Sequence, residues 1–157
     1  MKRLAIVLLV LAACRTATTT TTTSGTAAPA PTTGPQSVGG ATPRGAVEQF
    51  LAAVRAQDLQ AMSTVFGTSR GPSRDNMDRE QLEKRLIILQ CYFNHDKFRI
   101  LGEAAGEASH RILTVELTRG RLVRSPRFYA IRGPGDRWFV DNMEIAAVAQ
   151  FCAQPPR

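Results

Sequence analysis

The sequence has little of what most catalytic and metal sites are built from. Its 157 residues include only two histidines and three cysteines. The chain has no Cys-x-x-Cys pair, no glycine-rich phosphate loop, no Gly-x-Ser-x-Gly elbow, no His-Glu-x-x-His helix and no calcium loop. The sequence therefore predicts no metal and no cofactor, and no motif assigns a reaction.

Aromatic residues and acidic charge are also scarce. Aromatics make up 6% of the chain, and 20 basic residues against 13 acidic ones give a formal net charge of +7. Proteins that bind single-stranded nucleic acid combine a basic groove with aromatic stacking platforms, so we expect no nucleic-acid partner. The hydrophobic share of 43% is enough for one packed domain.

The first thirteen residues have the pattern of an export signal. Lys2 and Arg3 precede an apolar run from Leu4 to Leu11, and small residues follow. The run is about half as long as the roughly 20 residues that a membrane-spanning helix needs. We therefore expect the segment to be removed.

The end of this signal, Leu11-Ala12-Ala13-Cys14, resembles the lipobox of bacterial lipoproteins. The resemblance implies that a diacylglyceryl group is attached to the Cys14 thiol and that residues 1 to 13 are cleaved off as a lipoprotein signal peptide. Arg15 is not the aspartate that retains such proteins at the inner membrane, which favours the outer membrane in a two-membrane bacterium. The alternative is an ordinary secretory signal that leaves Cys14 as a free or disulfide-bonded thiol.

Residues 14 to 43 are rich in threonine, proline and alanine, with six consecutive threonines from Thr18 to Thr23. Such a segment buries too little apolar surface to offset the entropy of ordering it. We expect a disordered tether between the lipidated cysteine and one domain over residues 44 to 157. An O-glycosylated stalk is the alternative interpretation.

Helical apolar spacing predicts three helices, which begin at the capping residues Thr42, Asp58 and Asp78. The polar residues 67 to 77 predict a loop before the third helix, which continues to about residue 93. The apolar positions that predict the buried helix faces are Val47, Phe50, Leu51, Val54, Met62, Val65, Phe66, Leu82, Leu86, Leu89 and Phe93.

Alternating patterns then predict strands near residues 97 to 106, 109 to 118, 121 to 132 and 137 to 146. Pro126 indicates an edge or a bulge in the third of them. The predicted fold class is α+β, with three N-terminal helices packed on a curved antiparallel sheet of about four strands.

Two cysteines remain besides Cys14, and an even pair in an exported domain favours a disulfide between Cys91 and Cys152. The last two turns of the third helix are apolar nearly all round and must be covered on two sides. We expect the bridged tail, residues 146 to 152, to fold back over this helix and to cover Ile87 and Ile88.

Two stretches resemble the nuclear-transport-factor-2-like superfamily. AVEQFLAAVRAQDLQAMSTVFG, residues 46 to 67, is similar to its opening helix pair, and RWFVDNMEI, residues 137 to 145, is similar to its closing strand. The resemblance implies a cone in which a strongly curved sheet wraps around the third helix and encloses an apolar cavity. Members include isomerases, dehydratases and epoxide hydrolases as well as proteins that only bind or dimerise, so the fold selects no activity.

Isomerase chemistry needs an acid that faces a tyrosine hydroxyl in an apolar cavity. The weak candidates are Tyr92, Tyr129 and Asp141, and we expect Asp141 to be an ordinary solvated or hydrogen-bonded strand residue. Simple alternation places Trp138 and Val140 on one face of the last strand, and Phe139, Asp141 and Met143 on the other. His95 and His110 lie beside predicted turns, where we expect surface residues.

Arg119, Arg121, Arg124 and Arg127 are the candidate residues for an anion-binding face, but we first expect a merely solvated face. Taken together, the sequence predicts a lipid-anchored envelope protein, not an enzyme, that binds a partner protein or a small apolar ligand. The alternatives are a small cavity-based enzyme of the same superfamily and an envelope polyanion binder.

Overall fold

A computed structural model describes residues 38–153. The predicted signal peptide, the lipobox cysteine Cys14 and most of the predicted tether lie outside the described residues. Within residues 38–153, no helix is both long enough and apolar enough to cross a membrane.

The predicted helix starts are confirmed. The side chain of Thr42 accepts a hydrogen bond from the backbone N–H of Gly45 at 2.9 Å. In the same way, the carboxylate of Asp58 accepts from the N–H of Ala61 and that of Asp78 from the N–H of Gln81. The helices of the described chain are α1 (Pro43–Ala56), α2 (Leu59–Val65), α3 (Ser73–Asn76), α4 (Arg79–Phe93) and α5 (Ala149–Cys152). Two short 3-10 turns, Pro134–Asp136 and Ile145–Val148, lie beside the last strand.

The stretch predicted as a loop, residues 67 to 77, contains more structure than expected. It forms a small hairpin of β1 (Gly67–Thr68) and β2 (Gly71–Pro72), followed by α3. A Cβ atom on Gly67 would lie 2.4 Å from the carbonyl oxygen of Gly71. Gly67 therefore permits β1 and β2 to pair closely. The composition of this stretch had predicted a loop.

The main sheet is antiparallel, which confirms the predicted α+β class, with five strands instead of about four. Its strands are β3 (Lys97–Ala105), β4 (Arg111–Arg119), β5 (Leu122–Arg124), β6 (Arg127–Arg132) and β7 (Trp138–Met143). Their order is β3-β4-β6-β7, and β5 pairs with β4 beyond the end of β6.

Pro126 separates β5 from β6 and so divides the single predicted strand over residues 121 to 132. Its carbonyl oxygen accepts a hydrogen bond from the Val115 N–H at 3.0 Å, but a proline has no N–H to return one. The register on β4 is the same on both sides of Pro126, and β5 pairs with β4 alone. The edge predicted from Pro126 is confirmed, without a bulge.

The helix that packs most extensively on the sheet is α1, which contacts β4, β6 and β7. The expectation that the sheet wraps around the third predicted helix, α4, is therefore wrong. α1 is apolar over a wide face and buries Val47, Phe50, Leu51 and Val54 completely, whereas α4 packs mainly on the other helices and on the C-terminal segment.

Aromatic rings occupy the space where the superfamily resemblance implied an apolar cavity. The ring centroid of Phe93 on α4 lies 5.1 Å from that of Phe128 on β6, and Phe50 on α1 lies within 6.5 Å of both. All three rings are fully buried. Any ligand site therefore has to lie outside this aromatic cluster.

The domain begins before the predicted boundary at residue 44. Gly40 pairs with Trp138 through two backbone hydrogen bonds of 2.8 Å, and the guanidinium of Arg137 donates to the carbonyl oxygens of Val38 and Gly39. A Cβ atom on Gly40 would lie 2.3 Å from the backbone nitrogen of Ala46. Gly39 and Gly40, which lie within the predicted tether, thus allow this segment to cover the edge of β7.

The predicted disulfide joins Cys91 on α4 to Cys152 on α5, and it holds the tail against the domain. Val148 and Phe151 of this tail are fully buried, and the Arg119 guanidinium donates to the Phe151 carbonyl. The expected cover over Ile87 and Ile88 is wrong, since these side chains are 48% and 53% exposed. The apolar residues of the tail enter the core instead of lying over the two isoleucines.

Removal of the disulfide should lower the free energy of unfolding. The bridge spans 61 residues, and a loop of that length constrains the unfolded chain by about 4 kcal/mol in the loop-entropy model. We expect the double variant Cys91→Ser/Cys152→Ser to lose about 2–4 kcal/mol in urea unfolding. A reducing agent should weaken the wild type equally and leave the double variant unchanged. An unfolding midpoint equal to that of the wild type would contradict this role.

Candidate functional site

A groove of about 480 Å³ runs between α4 and the end of β7. Its floor is apolar, because Phe66, Leu89 and Met143 lie there and are only 5 to 6% exposed. Its walls carry Ile88 from α4 and Ile145 from the turn that follows β7, which are 53% and 38% exposed. Most ligand pockets in proteins have this size and an apolar lining with few polar groups.

The capped start of α4 sets which residues face the groove. Gln81, Lys84, Arg85 and Ile88 follow one another at helical spacing and form a single stripe along its rim. Leu89 comes from the adjoining buried stripe and forms part of the floor. The all-round apolar end of α4 was the sequence signal for this site, although it suggested a covered surface instead of an open one.

A bulge in β7 forms the opposite wall. Tyr129 on β6 pairs with Asn142 and the next residue, Ala130, pairs with Val140, so Asp141 is an extra residue in β7. Val140 and Met143 consequently both face the core, although simple alternation placed them on opposite faces. Met143 therefore faces the core and the floor of the groove, and the bulge lets the Asp141 side chain point in a different direction from Met143.

Asp141 is bound to His110. Its Oδ2 atom lies 2.8 Å from His110 Nε2, and the Nδ1 atom of the same ring lies 2.9 Å from the carbonyl oxygen of Glu107. Both ring nitrogens therefore face acceptors, which only the doubly protonated imidazolium can satisfy as donors. The Asp141 hydrogen bond, aided by the Glu107 carbonyl, raises the pKa of His110 against the opposing effect of burial.

Of the three catalytic candidates, Asp141 and Tyr129 line the same open depression, and Tyr92 lies elsewhere. Tyr129 presents its ring edge-on to His110 at a centroid distance of 6.5 Å, and Tyr92 packs against the core. No hydrogen bond joins Asp141 to a tyrosine hydroxyl within residues 38–153. Both nitrogens of His110 are engaged, whereas the Oδ1 atom of Asp141 is buried without a hydrogen-bond partner in the described chain. Asp141, His110 and Tyr129 line one open depression of about 820 Å³.

The expectation that His95 lies at the surface is wrong, because the residue is only 3% exposed. Its Nδ1 atom lies 2.9 Å from the Phe93 carbonyl oxygen, and its ring packs edge-on against Phe98. Burial lowers the pKa of His95 below its ordinary value. The turn after α4 folds inward here, which no local sequence pattern indicated.

The candidate arginine face is largely engaged by the protein itself. Arg119 donates to the Phe151 carbonyl, Arg124 to Gln150 of the tail, and Arg127 forms a double hydrogen bond with Glu144. Of the four predicted arginines, only Arg121 in the β4–β5 turn lacks such a contact within the described chain. Arg119, Arg124 and Arg127 therefore hold the C-terminal segment, and among the four arginines in the described chain Arg127 is the one that pairs with a carboxylate.

No group of three His, Cys, Asp or Glu side chains in the part of the chain that the structure describes could hold a metal ion. No family model matches the chain, and no curated protein is similar to it. Among solved structures, it is similar to an NTF2-like protein of unknown function from Cytophaga hutchinsonii, with 11% sequence identity and a TM-score of 0.39. The match covers 66% of this chain and 90% of that one.

The His110–Asp141 pair should make stability depend on pH. Because folding raises the pKa of His110 above its ordinary 6.5, the folded state binds the proton more tightly, and this stabilisation is lost as pH rises through the raised pKa. We expect the stability difference between wild type and His110→Gln in urea unfolding to shrink from pH 6 to pH 9. Its slope should not exceed about 1.4 kcal/mol per pH unit.

His95 provides a control of opposite sign. Folding lowers its pKa, so the unfolded state binds more protons below pH 6.5 and the protein loses stability as pH falls. A His95→Gln variant should therefore be less sensitive to acid than the wild type. A His110→Gln effect that is independent of pH, or that grows above pH 7, would contradict the ion pair.

Proposed function

We propose that this protein is a lipid-anchored component of the bacterial envelope whose NTF2-like domain binds a small apolar ligand in the groove between α4 and β7. The observation that carries the binding role is the open apolar groove, with Ile88 and Ile145 exposed over a recessed floor of Phe66, Leu89 and Met143. A groove with an apolar lining and a few polar groups at its rim is the usual setting of a small-molecule site.

The anchor is supported by the sequence. The basic residues Lys2 and Arg3, the short apolar run and Cys14 stand in the order that lipoprotein maturation requires. Two or three acyl chains hold a protein on a membrane almost irreversibly, since each buried methylene contributes about 0.8 kcal/mol. Arg15 favours the outer membrane if the host has two.

The order of the elements supports the NTF2-like assignment. An N-terminal helix pair and a longer third helix precede a run of antiparallel strands, as in that superfamily. The buried aromatic cluster favours binding over the enzymatic alternative, because its rings fill the space between α4 and the sheet and leave Asp141 and Tyr129 beside an open depression instead of an enclosed apolar cavity. A polyanion partner is the weaker alternative, because the hydrogen bonds of Arg119, Arg124 and Arg127 to the C-terminal segment limit how these side chains can turn towards it.

Lipidation can be tested in cells that produce the full chain. We expect labelled palmitate to be incorporated into the wild type and into Cys152→Ser, which retains Cys14, but not into Cys14→Ser. The labelled protein should fractionate with membranes. A wild type that stays unlabelled and soluble would contradict the anchor.

Ligand binding can be tested by substituting two adjacent isoleucines of α4, one inside the groove and one outside it. Ile87 and Ile88 are both about half exposed on α4, but only Ile88 lines the groove. We expect a photoreactive decanol to label groove peptides of the lipidated protein held in phosphatidylcholine nanodiscs. Ile88→Gln should raise the half-saturating concentration of decanol about fourfold or more, because it removes apolar contact equal to about one methylene group. Ile87→Gln should leave that concentration unchanged.

Two results would contradict the proposed groove. One is an equal effect of the two substitutions, which would mean that decanol binds elsewhere on α4. The other is saturable labelling confined to peptides outside α4 and the segment from residue 141 to 145. Circular dichroism of both variants verifies that a changed concentration does not reflect unfolding.

A further inference from the structure

We propose that the ligand of the groove is a single-chain amphiphile whose anionic head group is bound by Arg85. The inference rests on the proposed function, because it names the chemistry of a ligand for the same groove. It follows from the charges on the groove rim and from the depth of the apolar floor.

The charged groups that line the groove are Lys84, Arg85 and Asp141. The ammonium of Lys84 lies 2.6 Å from the Glu80 carboxylate, and the carboxylate of Asp141 lies 2.8 Å from the ring of His110. Arg85 is exposed and makes no ion pair within residues 38–153. The charge left over at the groove is therefore positive and centred on Arg85.

Arg85 is placed to bind a head group while a chain occupies the groove. It precedes Ile88 by three residues and follows Gln81 by four, so all three lie on one stripe of α4. A guanidinium binds a carboxylate or phosphate with two parallel hydrogen bonds, and the Gln81 amide supplies a neutral donor beside it. A chain attached to that head group would run past Ile88 towards Ile145.

The depth of the groove favours a free amphiphile over the surface of a bilayer. Phe66, Leu89 and Met143 form the apolar floor but are only 5 to 6% exposed. A flat membrane surface would meet the exposed side chains of Ile88 and Ile145 first, whereas one alkyl chain lying between the two isoleucines would contact the floor. A volume of about 480 Å³ also lies within the range of small-molecule sites.

The test compares photoreactive decanoate with photoreactive decanol on the lipidated protein in phosphatidylcholine nanodiscs. The two probes share a chain and differ in head-group charge. The readout is the ratio of half-saturating concentrations between a variant and the wild type, in which partition into the lipid cancels. Arg85→Gln removes the charge, Arg85→Lys retains it, and Arg79→Gln is the matched control because Arg79 lies on the opposite side of α4.

We expect Arg85→Gln to raise the half-saturating concentration of decanoate by roughly tenfold or more, since hydrogen bonds to charged groups are the stronger ones. Decanol should change by less than twofold, Arg85→Lys should retain most of the decanoate binding, and Arg79→Gln should change neither probe. Labelling at Ile88 and Ile145 would place the chain as inferred.

Three outcomes would overturn the inference, and they differ in what they leave standing. If Arg85→Gln affects both probes equally or neither, the head-group assignment fails but the apolar site remains. If the groove is labelled by a photoreactive phosphatidylglycerol in the nanodisc and not by added decanoate, the ligand is a bilayer lipid. If neither probe labels the groove, the proposed function itself fails.

Discussion

The covalent link between α4 and the C-terminal tail is the constraint on which the rest of the domain depends. The Cys91–Cys152 bridge fixes a tail that delivers Val148 and Phe151 to the core, and the segment leading into it carries Ile145, one wall of the groove. Hydrogen bonds from Arg119 and Arg124 hold the same tail. Because the tail is occupied in the core, Ile88 on α4 is left uncovered and available for binding.

The bulge at Asp141 explains why an acidic residue can border an apolar groove. One extra residue lets Val140 and Met143 both face the core while Asp141 pairs with His110. The pair compensates the negative charge and joins the loop before β4 to β7. A residue that resembles a catalytic acid in the sequence is therefore better understood as part of the structure that holds the wall of the groove.

Sequence patterns predicted the helices, the sheet and the disulfide, because caps, apolar spacing and an even cysteine pair act locally or admit few alternatives. Predictions from sequence patterns were wrong where contacts between distant parts of the chain determine whether a residue is buried or exposed. Gly40 lies in a segment whose composition is typical of a linker, but its backbone pairs with Trp138. His95 lies beside a predicted turn, but its side chain is buried. The groove was signalled by the apolar end of α4, but whether the tail would cover Ile88 depended on a tertiary contact that no local pattern encodes.

The central claim is that the groove between α4 and β7 is the ligand site. Isoleucine methyl NMR of the full chain in nanodiscs tests it most directly, because Ile88 and Ile145 line the groove whereas Ile112 and Ile131 lie on the sheet. Added decanoate should shift the methyl signals of Ile88 and Ile145 and leave those of Ile112 and Ile131 in place. Shifts confined to the sheet isoleucines, or no saturable shift at Ile88, would contradict the account.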